Sequence, residues 1–126
     1  MRLVPSSKID FEACSNLATA TDDEIAPIVS VLLEWLQDFN WPVAPLVQER
    51  LATLGAELID PAKSVLRGND NVWKYWLVSS LLPLVRDDVF SAVAVEVERI
   101  ASNPTEGEKH EEVHIAAQEL LKRKHV

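Results

Sequence analysis

A chain of 126 residues that is 48% apolar and holds only three glycines suits one self-supporting domain and excludes a disordered or collagen-like polymer. Its formal net charge of −8 opposes a sequence-independent nucleic-acid footprint, because that affinity depends on Lys and Arg neutralising phosphates. The longest apolar runs, 25–33 and 76–85, are broken by serine or proline and fall short of the roughly 18 residues a membrane-spanning helix needs, so neither nucleic acid nor membrane is expected as a partner.

The first residues, "MRLVPSSKIDFEA", carry no apolar core of the length a secretory signal requires, and the expectation is a cytoplasmic protein. The lone cysteine, Cys14, excludes an internal disulfide framework and fits a reducing compartment. No local His or Asn/Asp signature marks it as a nucleophile, and it reads as a thiol on a short helix.

In chain order, a short leading helix is expected near Asp10–Ala20. Thr21 with Glu24 three residues on is a capping-box signature before "IAPIVSVLLEWL". Ile25, Ile28, Val29, Leu32, Leu33 and Leu36 then recur at the three- and four-residue steps of a buried helical stripe, predicting a helix over 22–38. "DFNWP" ends it: Pro42 disfavours helical geometry at Trp41 but suits the early residues of a new helix. Helices follow near 42–54, 57–67, 70–84, 87–102 and 107–124. The pairs Asp22/Asp23 and Asp87/Asp88 read as helix-start acids, and Thr105 with Glu108 repeats the capping box before the last helix. "KRK" at 122–124 is placed to complement a helix C-terminus.

Sliding the sequence on itself by thirty residues sets Leu36 over Leu66, Leu46 over Trp76, Val47 over Leu77, Leu51 over Leu81 and Leu54 over Leu84. A third copy, after the longer turn "SNPTEGEKH", sets Ile100, Ala117 and Leu121 in the same columns. This predicts an all-α single domain over 1–126 made of about three helical hairpins, organised as in HEAT or armadillo arrays but with a shorter repeat. Trp35 and Trp41 are expected to bracket the corner at the first turn. Trp73 and Trp76 are expected to reach back from the second hairpin to the first.

The segments "EWLQDFNWPVAP", "NDNVWKYWLV" and "ERIASNPTEGEKHEEV", in this order and spacing, resemble a bacterial domain-of-unknown-function family of small single-domain proteins. That resemblance covers nearly the whole chain. It implies a HEAT-like α-α superhelical fold and brings no catalytic residues.

The one catalytic motif is His110-Glu111-Glu112-Val113-His114, an H-E-x-x-H. On a continuous helix it would set both histidines one turn apart on one face, able to hold zinc, with Glu111 placed to deprotonate a metal-bound water. The extended pattern fails, since Ala117 and Leu120 stand where glycine and a third histidine belong, and Glu119 is too near to substitute. The charges at Glu108, Lys109 and Glu112 describe a solvated first helical turn. No metal or other cofactor is expected, and a zinc-dependent hydrolase on this motif is the alternative function. No Gly-rich phosphate loop, Cys-x-x-Cys or G-x-S-x-G element occurs.

If the hairpins stack, their second helices line one side, commonly the binding side of such arrays. The repeat offsets place Ala44, Lys74 and His114 in one row, Pro45, Tyr75 and Ile115 in the next, and Glu49, Ser79 and Glu119 in a third. Trp41 sits at the edge. From this strip Trp41, Glu49, Lys74, Tyr75 and His114 are the candidate binding residues. The expected function is a non-catalytic protein-binding or scaffold module, a monomer or weak dimer, whose acidity suits a basic protein or peptide partner.

Overall fold

A computed structural model of the chain describes residues 1–124. Every regular element among them is helical, and none is a strand. In order these are α1 (Phe11–Thr19), α2 (Asp22–Ile25), α3 (Val29–Leu33), α4 (Ala44–Leu51), α5 (Ile59–Leu66), α6 (Asn71–Trp76), α7 (Asp87–Ser102), α8 (Glu106–His110) and α9 (Val113–Lys124). No described helix is long and apolar enough to cross a membrane.

The helix starts follow from local chemistry. Asp10 caps α1, accepting from the Ala13 N–H, while Arg2 grips the same carboxylate through two bonds of 2.7 and 2.8 Å and so pins the leading segment. Thr21 caps α2 reciprocally with Glu24: the threonine hydroxyl accepts from the Glu24 N–H at 3.2 Å and the Thr21 N–H donates to the glutamate at 2.9 Å. The expected 22–38 helix is one helical run with two tightened stretches, Ala26–Ile28 and Glu34–Leu36. Pro27, which has no N–H to return to the preceding turn, accounts for the first. In "DFNWP" the Asp38 side chain accepts from the Asn40 N–H at 2.8 Å and its carbonyl from Trp41 at 3.1 Å. The chain reverses there, and α4 begins at Ala44.

The tryptophans occupy the positions their spacing predicted. Trp35 and Trp41 meet edge to face with ring centroids 5.5 Å apart. Trp73 donates its indole N–H to the Leu33 carbonyl at 2.9 Å, and Trp76 stacks on Phe39 at 5.5 Å. Both rings therefore join the second hairpin to the first.

Packing runs in series. Helix α3 lies on α4 and α5, α5 on α7, and α7 most extensively on α9; α9 also covers α6 and the turn that follows it, while α1 closes the far end against α4. One continuous core threads these contacts, with Leu32, Leu33, Leu36, Leu51, Leu66, Leu77 and Leu81 wholly buried. Cys14 is buried at its margin, and burial raises its thiol pKa.

Two departures from regular helix decide how the site is built. Residues Leu77–Leu81 form a π turn, closed by the Leu82 N–H donating to the Leu77 carbonyl at 2.8 Å. A π turn holds one residue more than an α turn and rotates everything after it. The thirty-residue register accordingly holds at Val47/Leu77 and Leu51/Leu81, all buried, and fails at Leu54/Leu84: Leu54 is buried, Leu84 is 58% exposed, and Val85, one residue later, takes its place in the core. The third copy slips by one residue the other way, with Leu120 rather than Leu121 fully packed.

The second departure corrects the expected 107–124 helix. It is two helices, and between them Glu112 adopts φ 60°, the left-handed region that residues with a Cβ rarely occupy. Helix α8 and the long α9 thus take separate directions, the first toward α6 and the second along α7. Close approach at that end needs Gly107, where a Cβ would fall on the Asn71 carboxamide.

Candidate functional site

The redirected α8 carries Glu108 into the interior. Its side chain is fully buried, where an unpaired carboxylate would be expensive, and three donors answer it. Arg99 on α7 donates twice, at 2.6 and 2.7 Å, Lys74 on α6 donates at 2.9 Å, and the Thr105 N–H donates at 2.8 Å. Lys74 donates further to the Gly68 carbonyl at 2.9 Å. Burial alone pushes the Glu108 pKa up; the Arg99, Lys74 and Thr105 hydrogen bonds outweigh it and hold the group at about 2. The trio ties α6, α7 and α8 at one point, so it fixes how α9 is delivered onto α6 and the π turn.

This corrects two expectations. Glu108 does not belong to a solvated first turn. Lys74 is not a binding residue on an exposed strip, since its side chain is only 3% exposed and committed to Glu108. The capping box at Thr105 does form, with the hydroxyl accepting from the Glu108 N–H at 3.1 Å, and the glutamate that completes it is the buried anion.

The histidine motif loses the continuous helix it required. His110 ends α8 and is exposed, His114 lies in the first turn of α9 and is half-buried, and the left-handed Glu112 stands between them. The Nδ1 atom of His114 is buried with no hydrogen-bond partner among the described residues. Among the described residues no three His, Cys, Asp or Glu side chains come together as a metal-holding group.

The other strip residues separate. Trp41 lines a shallow depression with Val4 and Val31. Glu49 borders a groove of about 610 Å³ between α1 and α4, walled by Phe11, Cys14 and Leu46. Tyr75, by contrast, lies in a cleft of about 250 Å³ between α6, the π turn and α9, together with Ser79, Ile115 and Glu119. The two repeat-related pairs Tyr75/Ile115 and Ser79/Glu119 are therefore brought into one cleft, while their first-hairpin counterparts Pro45 and Glu49 are not. His114 is absent from that lining.

The cleft floor is apolar, from Val78, Ile115 and Leu120, and Arg123 stands at one end. At the other end it adjoins a second depression of about 310 Å³, with Tyr75 and Glu112 shared as the common wall and Val72, Trp76 and Glu111 beyond. Tyr75 and Trp76 meet there at 5.3 Å between centroids and 76° between planes. Neither Glu111, Glu112 nor Glu119 has an ion-pair partner among the described residues. Such a groove can seat an extended or helical segment whose apolar side chains meet the floor and whose cations meet the rim.

Neither the repeat offsets nor the motifs point to Glu111 and Glu112 as rim residues or to the Lys74–Glu108–Arg99 trio. One signal was available for Lys74. It is the only charged residue of "NVWKYWLVSSLL", and a lone cation in a segment apolar on every side is either buried with a partner or not helical.

No curated protein shows significant similarity to this chain. The family model described as "Domain of unknown function (DUF5071)" matches residues 3–121, nearly the whole chain, and the protein belongs to that family.

Proposed function

We propose that this protein is a non-catalytic protein-binding module, acting in the bacterial cytoplasm as a monomer or weak dimer, and that the groove between α6, the π turn and α9 receives its partner. The hairpins are taken as a compact HEAT-like stack. The serial contacts α3–α5–α7 between first helices, with α9 laid over α6 on the other side, support that reading, since in such arrays partners bind along the second helices.

The observation that carries the proposal is the coincidence of three features at one groove. The π turn and the left-handed, non-glycine Glu112 are both costly conformations of kinds that concentrate at functional sites, and both border it. Along it lie exposed Ile115, Val72 in the adjoining depression and a rim of carboxylates without ion-pair partners among the described residues. On a chain of net charge −8, that surface suits a basic segment with apolar anchors.

Capture from the native cell with wild type and two variants tests the proposal. A partner retained by Leu46→Asp, in the α1–α4 groove, and lost with Ile115→Asp supports the α6–α9 groove. A partner kept by Ile115→Asp overturns it.

A further inference from the structure

Resting on the protein-binding reading, we infer that the corner formed by Tyr75, Trp76, Glu111 and Glu112 is a subsite for a lysine or arginine side chain of the partner. Two aromatic rings at 76° form adjacent walls of a depression of about 310 Å³. Ring faces attract cations through their quadrupole, and the attraction grows where water is excluded. Phe39 stacks on Trp76 and so backs that wall, which leaves the indole little freedom to turn away.

The charge pattern points the same way. Both carboxylates lining the corner, Glu111 and Glu112, are without an ion-pair partner among the described residues, and no Lys or Arg lines the depression. Some acids elsewhere are answered within the chain, Asp10 by Arg2, Asp22 by Arg50, Glu96 by Arg67 and Glu108 by Lys74 and Arg99; Glu111 and Glu112 are among those that are not. The left-handed backbone at Glu112 is what turns the chain at this spot, since an uninterrupted helix would carry residue 112 onward with α8. Apolar Val72 on one side and the adjoining cleft floor at Ile115 on the other can receive the residues that flank the cation.

The probe is N-acetyl-lysine N-methylamide, titrated into isotope-labelled protein at fixed ionic strength and followed through the Trp76 indole and Tyr75 ring NMR signals. N-acetyl-norleucine N-methylamide is its uncharged control, and tetramethylammonium a separate arm. Saturable shifts are expected with the lysine probe and not with norleucine. Glu112→Asn keeps a residue that tolerates the left-handed region and should weaken that binding at least about fivefold, as should Tyr75→Leu. Absence of saturable shifts, equal shifts from norleucine, binding of tetramethylammonium alone, or full affinity in Glu112→Asn would each overturn the subsite. The underlying reading is separated by capture: a partner lost with Ile115→Asp but held at full strength by Glu112→Asn overturns the subsite and leaves the groove standing, whereas one kept by both variants overturns both.

Discussion

Lys74 and Glu108, thirty-four residues apart, form a buried ion pair of 2.9 Å whose side chains are 3% and 0% exposed. Breaking such a pair on one side is costly because the other charge stays behind without water. Glu108→Leu strands Lys74 and should destabilise by about 3–5 kcal/mol, while Lys74→Met leaves Arg99 on the carboxylate and should cost less, about 2–3 kcal/mol. The double variant Lys74→Met/Glu108→Leu should recover part of the loss. Urea unfolding of the three reads this directly, and additive losses would show the two residues to be uncoupled.

The same cluster sets an acid limit. Glu108 is held at about 2 in the fold, below its unfolded value near 4.3. A depressed carboxylate contributes stability that is fully present above the unfolded pKa and is lost as pH falls through the folded one. Between about pH 4.5 and 2 the wild type should lose of order 3 kcal/mol from this group. Glu108→Gln, though less stable at pH 7, should show a flatter profile over that window. Identical slopes would mean that other carboxylates dominate acid unfolding.

The shift of register at the π turn predicts a contrast between equivalent leucines. Leu51→Ala, Leu81→Ala and Leu54→Ala, each at a wholly buried residue, should each cost about 2–5 kcal/mol. Leu84→Ala, at an exposed one, should move stability by less than about 0.5 kcal/mol. Equal urea midpoints for Leu54→Ala and Leu84→Ala would refute the one-residue rotation.

These leucines also show how much of the fold is legible in the sequence. The three- and four-residue periodicity marked the helices from Asp10 onward, two capping boxes fixed starts at Thr21 and Thr105, and Trp35, Trp41, Trp73 and Trp76 announced the hairpin corners. The periodicity and the capping boxes depend on contacts local to a helix or a turn, whereas Trp73 and Trp76 act through Leu33 and Phe39, far along the chain. The π turn and the left-handed Glu112 have no such signature in "LVSSL" or "KHEEVH": beside the π turn the Ser79 hydroxyl donates to the Tyr75 carbonyl at 2.7 Å, a bond that competes with the regular ladder, and the break at Glu112 lets α8 reach Lys74 while α9 lies along α7. Because those two breaks shape the groove, the repeat offsets set Tyr75 and Lys74 on one strip although Tyr75 lines a cleft and Lys74 is buried, and the spacing around Glu111 and Glu112 points only to a zinc motif.

Glu112 itself supports a fourth prediction. A left-handed residue with a Cβ costs roughly 1 kcal/mol or more, which glycine relieves at the expense of a looser unfolded chain. Glu112→Gly should therefore leave stability unchanged or raise it by up to about 1 kcal/mol, and Glu112→Val should lower it by about 1–3 kcal/mol. If partner binding also falls in Glu112→Gly, stability and binding make opposed demands on this position. Thermal melts of both variants check the first part; a large loss with glycine would contradict the conformation.

A partner seated between α6 and α9 would be read out by site-specific photocrosslinking in the native cell, with a benzophenone side chain placed in turn at Tyr75, Ile115 and Leu46. Positions 75 and 115 should capture the same protein through a peptide containing lysine or arginine, position 46 should not, and N-acetyl-lysine N-methylamide should reduce the yield at 75. Capture from position 46 alone, or none from 75 and 115, would rule out a partner between α6 and α9.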